Sequence, residues 1–334
     1  MGISAALGSS ALLPAGLGFR NLVYNGNFDI WQRGTSFSTD NAATAIYTAD
    51  RWCARALYPN SSAVQTITQE STNVPAGSKY SLKSVVATAT VVNNSRMQLC
   101  YTVEPADAIR YAGKQMVLSM QIKAIQNIDR ATITTAYSTT GGKSFDGTTI
   151  SSTNFTVNTS GFTTCTVYFT LPAAATLTTS GTIGFYITYT RSSGSAEVVG
   201  DGIYLSQVQL EQNYQPTPFE QRPFGVELAL CQRYYFRATG SAYFGLILAH
   251  SATAAYVGYP VPVPMRAAPT SIEINSLRLF DGVNAAISVT AAAIGETTTY
   301  PVGINLTASG LTSYRMYHIY QNGASTYIGI SAEL

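Results

Sequence analysis

The chain has 334 residues, which sets an expectation of about two domains. Charged residues are only 11%, against roughly 25% in an ordinary soluble domain, and the net charge is +2. Lysine is absent after Lys143 and no basic run exists, so the phosphate-neutralising clusters of a nucleic-acid binder are missing.

The first twenty residues, MGISAALGSSALLPAGLGFR, are small and apolar. They lack a positive n-region and are interrupted by Ser9-Ser10, Pro14 and several glycines, unlike a secretory signal. Residues 1–21 read instead as an extended segment that packs on something else. No stretch reaches the ~18 uncharged apolar residues of a bilayer span, so no membrane insertion is expected.

From about Leu22 to Glu211 the dominant signal is period-two alternation. Met97, Leu99, Tyr101 and Val103 form one apolar face, and Met116, Leu118, Met120, Ile122 and Ala124 another. Cys165, Val167, Phe169 and Leu171 repeat the pattern, as do Ile183, Phe185, Ile187 and Tyr189. The intervening residues are mostly Thr, Ser and Tyr, as on the solvated side of antiparallel sheets. Gly141-Gly142, Asp146-Gly147 and Ser193-Gly194 punctuate the strands as turns. The chain is therefore predicted to be all-β, with an antiparallel jelly-roll sandwich over residues 22–222.

That unit ends in NYQPTPFEQRPFG, whose three prolines read as an exposed, protease-sensitive connector between autonomous parts. Residues 223–238 form a Pro-rich corner and a short linking helix. Its helical stretch, VELALCQRYYFR over 226–237, is apolar over a wide arc and expects cover on most sides. Val226, Leu230 and Tyr234 share one stripe and are the expected oligomer contact. Residues 239–334 return to strands and are predicted to form a smaller C-terminal β-sandwich, with hairpin turns at Asp281-Gly282 and Asn322-Gly323. Only seven charged residues occur in these last 96, which implies extensive burial against other copies or subunits.

Chemistry-bearing motifs are absent. There is no G-x-S-x-G, H-E-x-x-H, Walker A or G-x-G-x-x-G sequence. Cys53, Cys100, Cys165 and Cys231 lack C-x-x-C spacing and read as free, buried thiols. His318 alternates with Tyr314, Met316 and Tyr320 and is expected to pack on that face. No enzyme activity, cofactor or metal is expected. Binding suits the composition better, because sugars present polar edges and apolar C–H faces. Tyr256, Tyr259 and Tyr317 are the candidate glycan contacts, whereas Trp31 and Trp52 read as core.

NGNFDIWQRGTSF over 25–37, followed by YTADRW over 47–52, resembles the opening of bacteriophage tail-fibre proteins. GDGIYLSQVQLEQNYQPTPFEQRPFGVELALCQRYY over 200–235 and PVPVPMRAAPT over 260–270 are similar to later segments of the same family. The leader ALLPAGLGFRN over 11–21 resembles an attachment segment found in such fibres, including those of cyanophages. The resemblance implies a virion component, assembled in the bacterial cytoplasm, docked through residues 1–21 onto other virion proteins. It further implies a homotrimer presenting its β domains to host-surface polysaccharide. Asn25, Gly26, Trp31, Arg33, Asp50, Arg51 and Trp52 carry the motif and read as structural. A capsid decoration or head-fibre role is the alternative, and a glycan-degrading tailspike the third reading. The first domain also looks like a carbohydrate-binding-module jelly roll. Such modules place an acidic residue near a structural calcium, where this chain offers Ser206, Gln207 and Gln209 with Asp201 nearby.

Overall fold

The computed structural model describes residues 19–39, 44–57, 64–88, 96–240, 243–296 and 298–334. Of the segment read over 1–21, all but Phe19, Arg20 and Asn21 lies outside the described residues. The first unit is built from β1 (Ser36–Ser38), β2 (Ile46–Tyr47), β3 (Trp52–Leu57), β4 (Val64–Glu70), β5 (Ser81–Thr88) and β6 (Arg96–Val103). After the short helix α1 (Pro105–Ala108) come β7 (Gln115–Ile125), β8 (Arg130–Ser138), β9 (Thr148–Thr156) and β10 (Thr163–Thr170). The turn α2 (Ala174–Leu177) precedes β11 (Thr182–Thr190) and β12 (Gly202–Glu211). These strands pair antiparallel into two six-stranded sheets, ordered β1-β4-β5-β12-β7-β10 and β2-β3-β6-β11-β8-β9. The chain crosses repeatedly between the sheets, giving the predicted jelly-roll sandwich.

Alternation explains the core. The apolar sets of β7 and β10 turn inward, while Thr164, Tyr168 and Thr170 stay exposed. The second sheet departs from this rule, because its outer side is covered as well. The segment Ser144–Asp146 folds over β6 and β11, and a Cβ on Gly184 would lie 2.2 Å from Ser144 Oγ. Beneath that cover Cys53 and Cys100, opposite one another on β3 and β6, pack with Phe145. All four cysteines are free and buried.

The Pro-rich corner is tied down rather than loose. Glu211 accepts the Thr217 N–H at 2.8 Å, and Glu220 accepts the N–H groups of Arg20 and Asn21 at 3.2 and 3.0 Å. Helix α3 (Phe224–Gln232) stops five residues before the predicted end. Tyr235 already opens β13 (Tyr235–Thr239), because both tyrosines of the Tyr234-Tyr235 pair are drawn under arginines of the jelly roll.

The C-terminal unit, predicted as a smaller β-sandwich, packs a closed barrel against a small sheet. β14 (Tyr243–Ala249), β15 (Ala254–Tyr259), β17 (Leu277–Phe280), β18 (Ile287–Glu296), β19 (Val302–Ala308) and β20 (Met316–Gln321) form a barrel in the order β14-β15-β19-β18-β17-β20. Closure removes the unpaired edges that an open sheet would expose. A three-stranded sheet, β13 with β21 (Tyr327–Ser331) and β16 (Ser271–Asn275), covers one side of the barrel. Its apolar face (Phe236, Ile272, Ile274, Ile328, Ile330) joins the barrel core, which is distinct from the jelly-roll core. Ser276, at φ +52°, breaks the run 271–280 so that its halves enter different sheets. Asn322-Gly323 likewise makes no hairpin, since β20 lies in the barrel and β21 in the cover sheet. Asp281-Gly282 does join two paired strands, β17 and β18.

Gly26 marks where the opening loop meets β12. Its carbonyl accepts the Val208 N–H at 2.9 Å, and an added Cβ would lie 2.2 Å from the Val208 carbonyl oxygen. Backbone cannot yield as a side-chain tip would. Gly26→Ala is therefore expected to destabilise the protein by about 2–3 kcal/mol, read as a lower urea midpoint with an unchanged slope.

Candidate functional site

The residues that carry the tail-fibre resemblance converge on one buried junction between the two units. Asn25, at φ +58°, reaches across its own loop with its side-chain amide. Its Nδ2 donates to the carbonyls of Ile30 and Asp50 at 2.8 and 3.0 Å, and its Oδ1 accepts the Ile30 N–H at 2.9 Å. Trp52 is fully buried among Phe28, Tyr101 and Phe185, and its ring N–H donates to the Asn25 carbonyl. Trp31 is half-buried and donates to the Phe28 carbonyl at 2.7 Å. These two loops form a rigid platform.

Two arginines rise from that platform into the second unit. The Arg51 guanidinium lies 3.5 Å over the ring of Tyr234, and that of Arg33 lies 3.5 Å over Tyr235. Both pair with Glu333, Arg51 at 2.6 Å and Arg33 at 3.4 Å. Arg51 also donates to the Thr102 carbonyl at 2.6 Å, and Arg33 faces Asp50 at 3.6 Å. From the other side, Glu227 of α3 accepts the Asn25 backbone N–H, and Arg222 pairs with Glu227 at 3.1 Å. A flat guanidinium suits this place because it stacks on an aromatic face and still donates in its plane.

Tyr234 therefore does not belong to an oligomer contact. It is 1% exposed and sits inside the protomer, roofed by Arg51. Of its proposed partners, Val226 is exposed and Leu230 half-buried. The glycan candidates separate in the same way. Tyr256 is half exposed on the outer face of the barrel, but Tyr259 and Tyr317 point inward and are buried. Three positions separate Tyr256 from Tyr259, so strand parity puts them on opposite faces. Burial pushes the Tyr259 hydroxyl up to about 12, and the Tyr317 hydroxyl accepts the Thr312 N–H at 2.9 Å. His318 shares the outward face of β20 with Met316, as the alternation predicted, and its ring lies 5.0 Å from that of Tyr243 between centroids.

Asp201 has no free lone pair facing solvent. It is fully buried and accepts from Asn127 at 3.0 Å, from Arg191 at 2.9 Å and from the Val198 N–H at 2.9 Å. An arginine thus holds the charge that calcium would balance. Ser206, Gln207 and Gln209 bond to neighbouring loops: Ser206 to the Tyr80 carbonyl, Gln207 to the Ala76 carbonyl and Gln209 to Glu211. Among the described residues no group of His, Cys, Asp and Glu is placed to hold a metal ion.

Two concave surfaces adjoin the residues described above. One, of about 510 Å³, lies between the jelly roll and the cover sheet, with Arg33, Tyr47, Arg237, Glu273 and Tyr327 on its walls. Arg237 is already engaged there, stacked 3.6 Å over Tyr327 and donating to the Arg33 carbonyl at 2.7 Å. The other, of about 420 Å³, is a trough on the outer barrel face beside Tyr256. Sequence reasoning found Tyr256 but missed Glu296 and Asn305 opposite it, since only the strand pairing brings them together.

No protein-family model matches the chain, and no curated protein matches it. Solved structures of similar fold include the module TmCBM61 in complex with β-1,4-galactotriose, 12% identical, with a TM-score of 0.31 over 58% of this chain and 100% of that one. A family 11 carbohydrate-binding module from Clostridium thermocellum is 10% identical, with a TM-score of 0.32 over 55% of this chain and 98% of its own. An arabinose-bound MgGH51 α-L-arabinofuranosidase is 17% identical, with a TM-score of 0.36 over 70% of this chain but only 32% of its own.

The junction carries a titration signature. Burial raises the Asp50 carboxyl to about 6, with Arg33 and the Gln32 N–H opposing and Glu333 adding to the rise. The folded state then holds the Asp50 proton more tightly than the unfolded chain does. Its contribution is most favourable below pH 4 and is lost as pH rises through 6. Relative to wild type, Asp50→Asn is expected to gain about 2 kcal/mol in stability between pH 4 and pH 7, on 1.36 kcal/mol per pKa unit. Urea unfolding of both proteins at the two pH values checks this, and equal differences at both would refute it.

Proposed function

We propose that the protein is a non-catalytic structural adhesin of virion-fibre type. It docks through residues 1–21, assembles as a homotrimer and presents its β units to host-surface glycans. The observation that carries this reading is the junction. Segments that resemble those of tail-fibre proteins serve here to lock one β unit onto another, which is what a rod transmitting load and orientation requires. Stacked arginines shared between a platform and a second unit fix the angle between them.

The distribution of surface chemistry supports self-association. Strands β14 and β20 contain no Lys, Arg, Asp or Glu, and outside the barrel they expose Tyr243, Leu246, Leu248 and Met316. At roughly 100 Å² for each half-exposed large side chain, these four present on the order of 400 Å². That falls within the roughly 300–600 Å² of the largest, often functional, patch on a typical monomer, and it is where we place the centre of a contact between copies. The jelly-roll similarity to carbohydrate-binding modules, two of which hold oligosaccharides, favours the glycan side of the proposal.

Leu246→Asp is expected to leave a folded but monomeric protein, because a charge on the apolar face loses its water in the contact. Sedimentation velocity at micromolar concentration reads this, and a monomeric wild type overturns the trimer. The adhesin role is tested with the purified full chain and host bacteria. Binding to cells and competition with phage adsorption are expected. Antibody labelling of phage heads with no cell binding would transfer the protein to the capsid-decoration reading, and release of sugar from host polysaccharide would make it a tailspike.

A further inference from the structure

We propose that the trough on the outer face of β15, β19 and β18 is a saccharide site selective for neutral over acidic sugars. This rests on the adhesin reading and names its contact surface. Strand pairing assembles the site. Tyr256 of β15 lies opposite Asn305 of β19, and Gly258 lies opposite Gly303, which in turn faces Glu296 of β18. The β18–β19 ladder shifts between Ile294 and Glu296, so Gly295 is an extra residue that turns Glu296 onto the outer surface beside Asn305.

Three chemistries meet in this trough. The Tyr256 ring is half exposed, and the imidazole of His250, with ring centroids 4.5 Å apart, backs it on one side. A ring held this way offers its remaining surface to the C–H face of a sugar at little entropic cost. The Asn305 amide leans over Gly295, whose absent Cβ would lie 2.6 Å from Asn305 Oδ1. The Glu296 side chain crosses Gly303 in the same manner, with 2.5 Å from its Cβ to an added one. Neither Asn305 nor Glu296 has a side-chain hydrogen bond or ion pair within the described residues. Two polar groups with unused hydrogen-bonding capacity thus share with an aromatic platform the lining of a cavity of about 420 Å³, within the range of small-ligand sites.

Charge decides the ligand class. The trough contains Glu296 and no Lys or Arg. A sugar hydroxyl donates to that carboxylate in a charge-assisted bond, while Asn305 both donates and accepts. A uronic acid would bring a second negative charge into a site lined by no Lys or Arg to balance it.

The test uses the full chain and three probes: β-linked galacto-oligosaccharides, β-linked gluco-oligosaccharides and oligogalacturonate. Titration calorimetry is expected to show binding of at least one neutral probe and weaker binding of oligogalacturonate. Tyr256→Ala is expected to weaken the neutral probe about tenfold, the loss of one good stacking contact, whereas Tyr256→Phe retains it. Glu296→Gln is expected to weaken the neutral probe several-fold and narrow its advantage over oligogalacturonate. Unchanged thermal unfolding confirms that the exposed-site variants fold. If a neutral probe binds wild type and Tyr256→Ala equally, the trough is not the site, although the adhesin reading stands. Stronger binding of oligogalacturonate overturns the charge argument. Intact protein that binds host cells but none of the neutral probes overturns the ligand class, and failure to bind cells as well overturns the adhesin reading itself.

Discussion

Two arginines laid flat on two consecutive tyrosines set the geometry of the whole molecule. The jelly roll and the barrel have separate cores, so each buries its own apolar residues without help from the other. What fixes their relation is the seam in which Arg51 covers Tyr234, Arg33 covers Tyr235, and Glu333 accepts from both cations. Burying such charges costs several kcal/mol of hydration per ion, which stacking and ion pairing must offset. An apolar seam would be as stable or more so. The polar one restricts the angle at which the units can meet, because guanidinium planes and carboxylate lone pairs tolerate few orientations. The raised Asp50 carboxyl shows the cost locally, where burial outweighs even an arginine at 3.6 Å.

This seam clarifies what the recognisable sequence segments do. Asn25, Gly26, Trp31, Arg33, Asp50 and Arg51 sit in two loops, the second of which runs into Trp52 at the start of β3. Asn25 and Trp52 stiffen the platform, Gly26 lets it approach β12, and the arginines and Asp50 meet the incoming tyrosines. The Pro-rich corner belongs to the same device. Its Glu220 and Arg222 fasten the chain beside Asn21 and lead α3 to the position where Tyr234 and Tyr235 enter.

Local periodicity made the jelly roll legible, because one-sided burial writes itself into alternate residues of β7 and β10. It could not show that the outer side of β6 and β11 is also covered, since the covering segment at Ser144–Asp146 is remote in sequence. The barrel was legible as strands but not as a closed array. Closure depends on β14 pairing with β20 across some seventy residues, which no local pattern encodes. Parity misled most where tyrosine was concerned. A tyrosine fits an exposed face and a buried one equally well, so Tyr256, Tyr259 and Tyr317 looked alike until their register was known. Tyr234 failed for a related reason: its partner Arg51 lies nearly two hundred residues earlier, and an apolar helix stripe was the only cue that the sequence supplied.

The scarcity of charge acquires a physical meaning from this arrangement. Ion pairs with buried partners mark the places where orientation must be fixed, in the seam and the corner. On the barrel the consequence is a division of faces. The outer side of β14 and β20 is largely apolar and holds no Lys, Arg, Asp or Glu, whereas that of β15, β19 and β18 carries an aromatic, an amide and a single carboxylate. Because β14 and β15 are neighbours in the barrel, a contact between copies on the first side leaves the second side at its rim, open to solvent. The rigid seam then holds each such rim at one fixed angle to its own jelly roll. Several weak sugar contacts displayed at fixed spacing bind a repetitive surface far more tightly than one alone, provided that the geometry lets them engage together. A stiff junction between β units is the structural condition for that advantage.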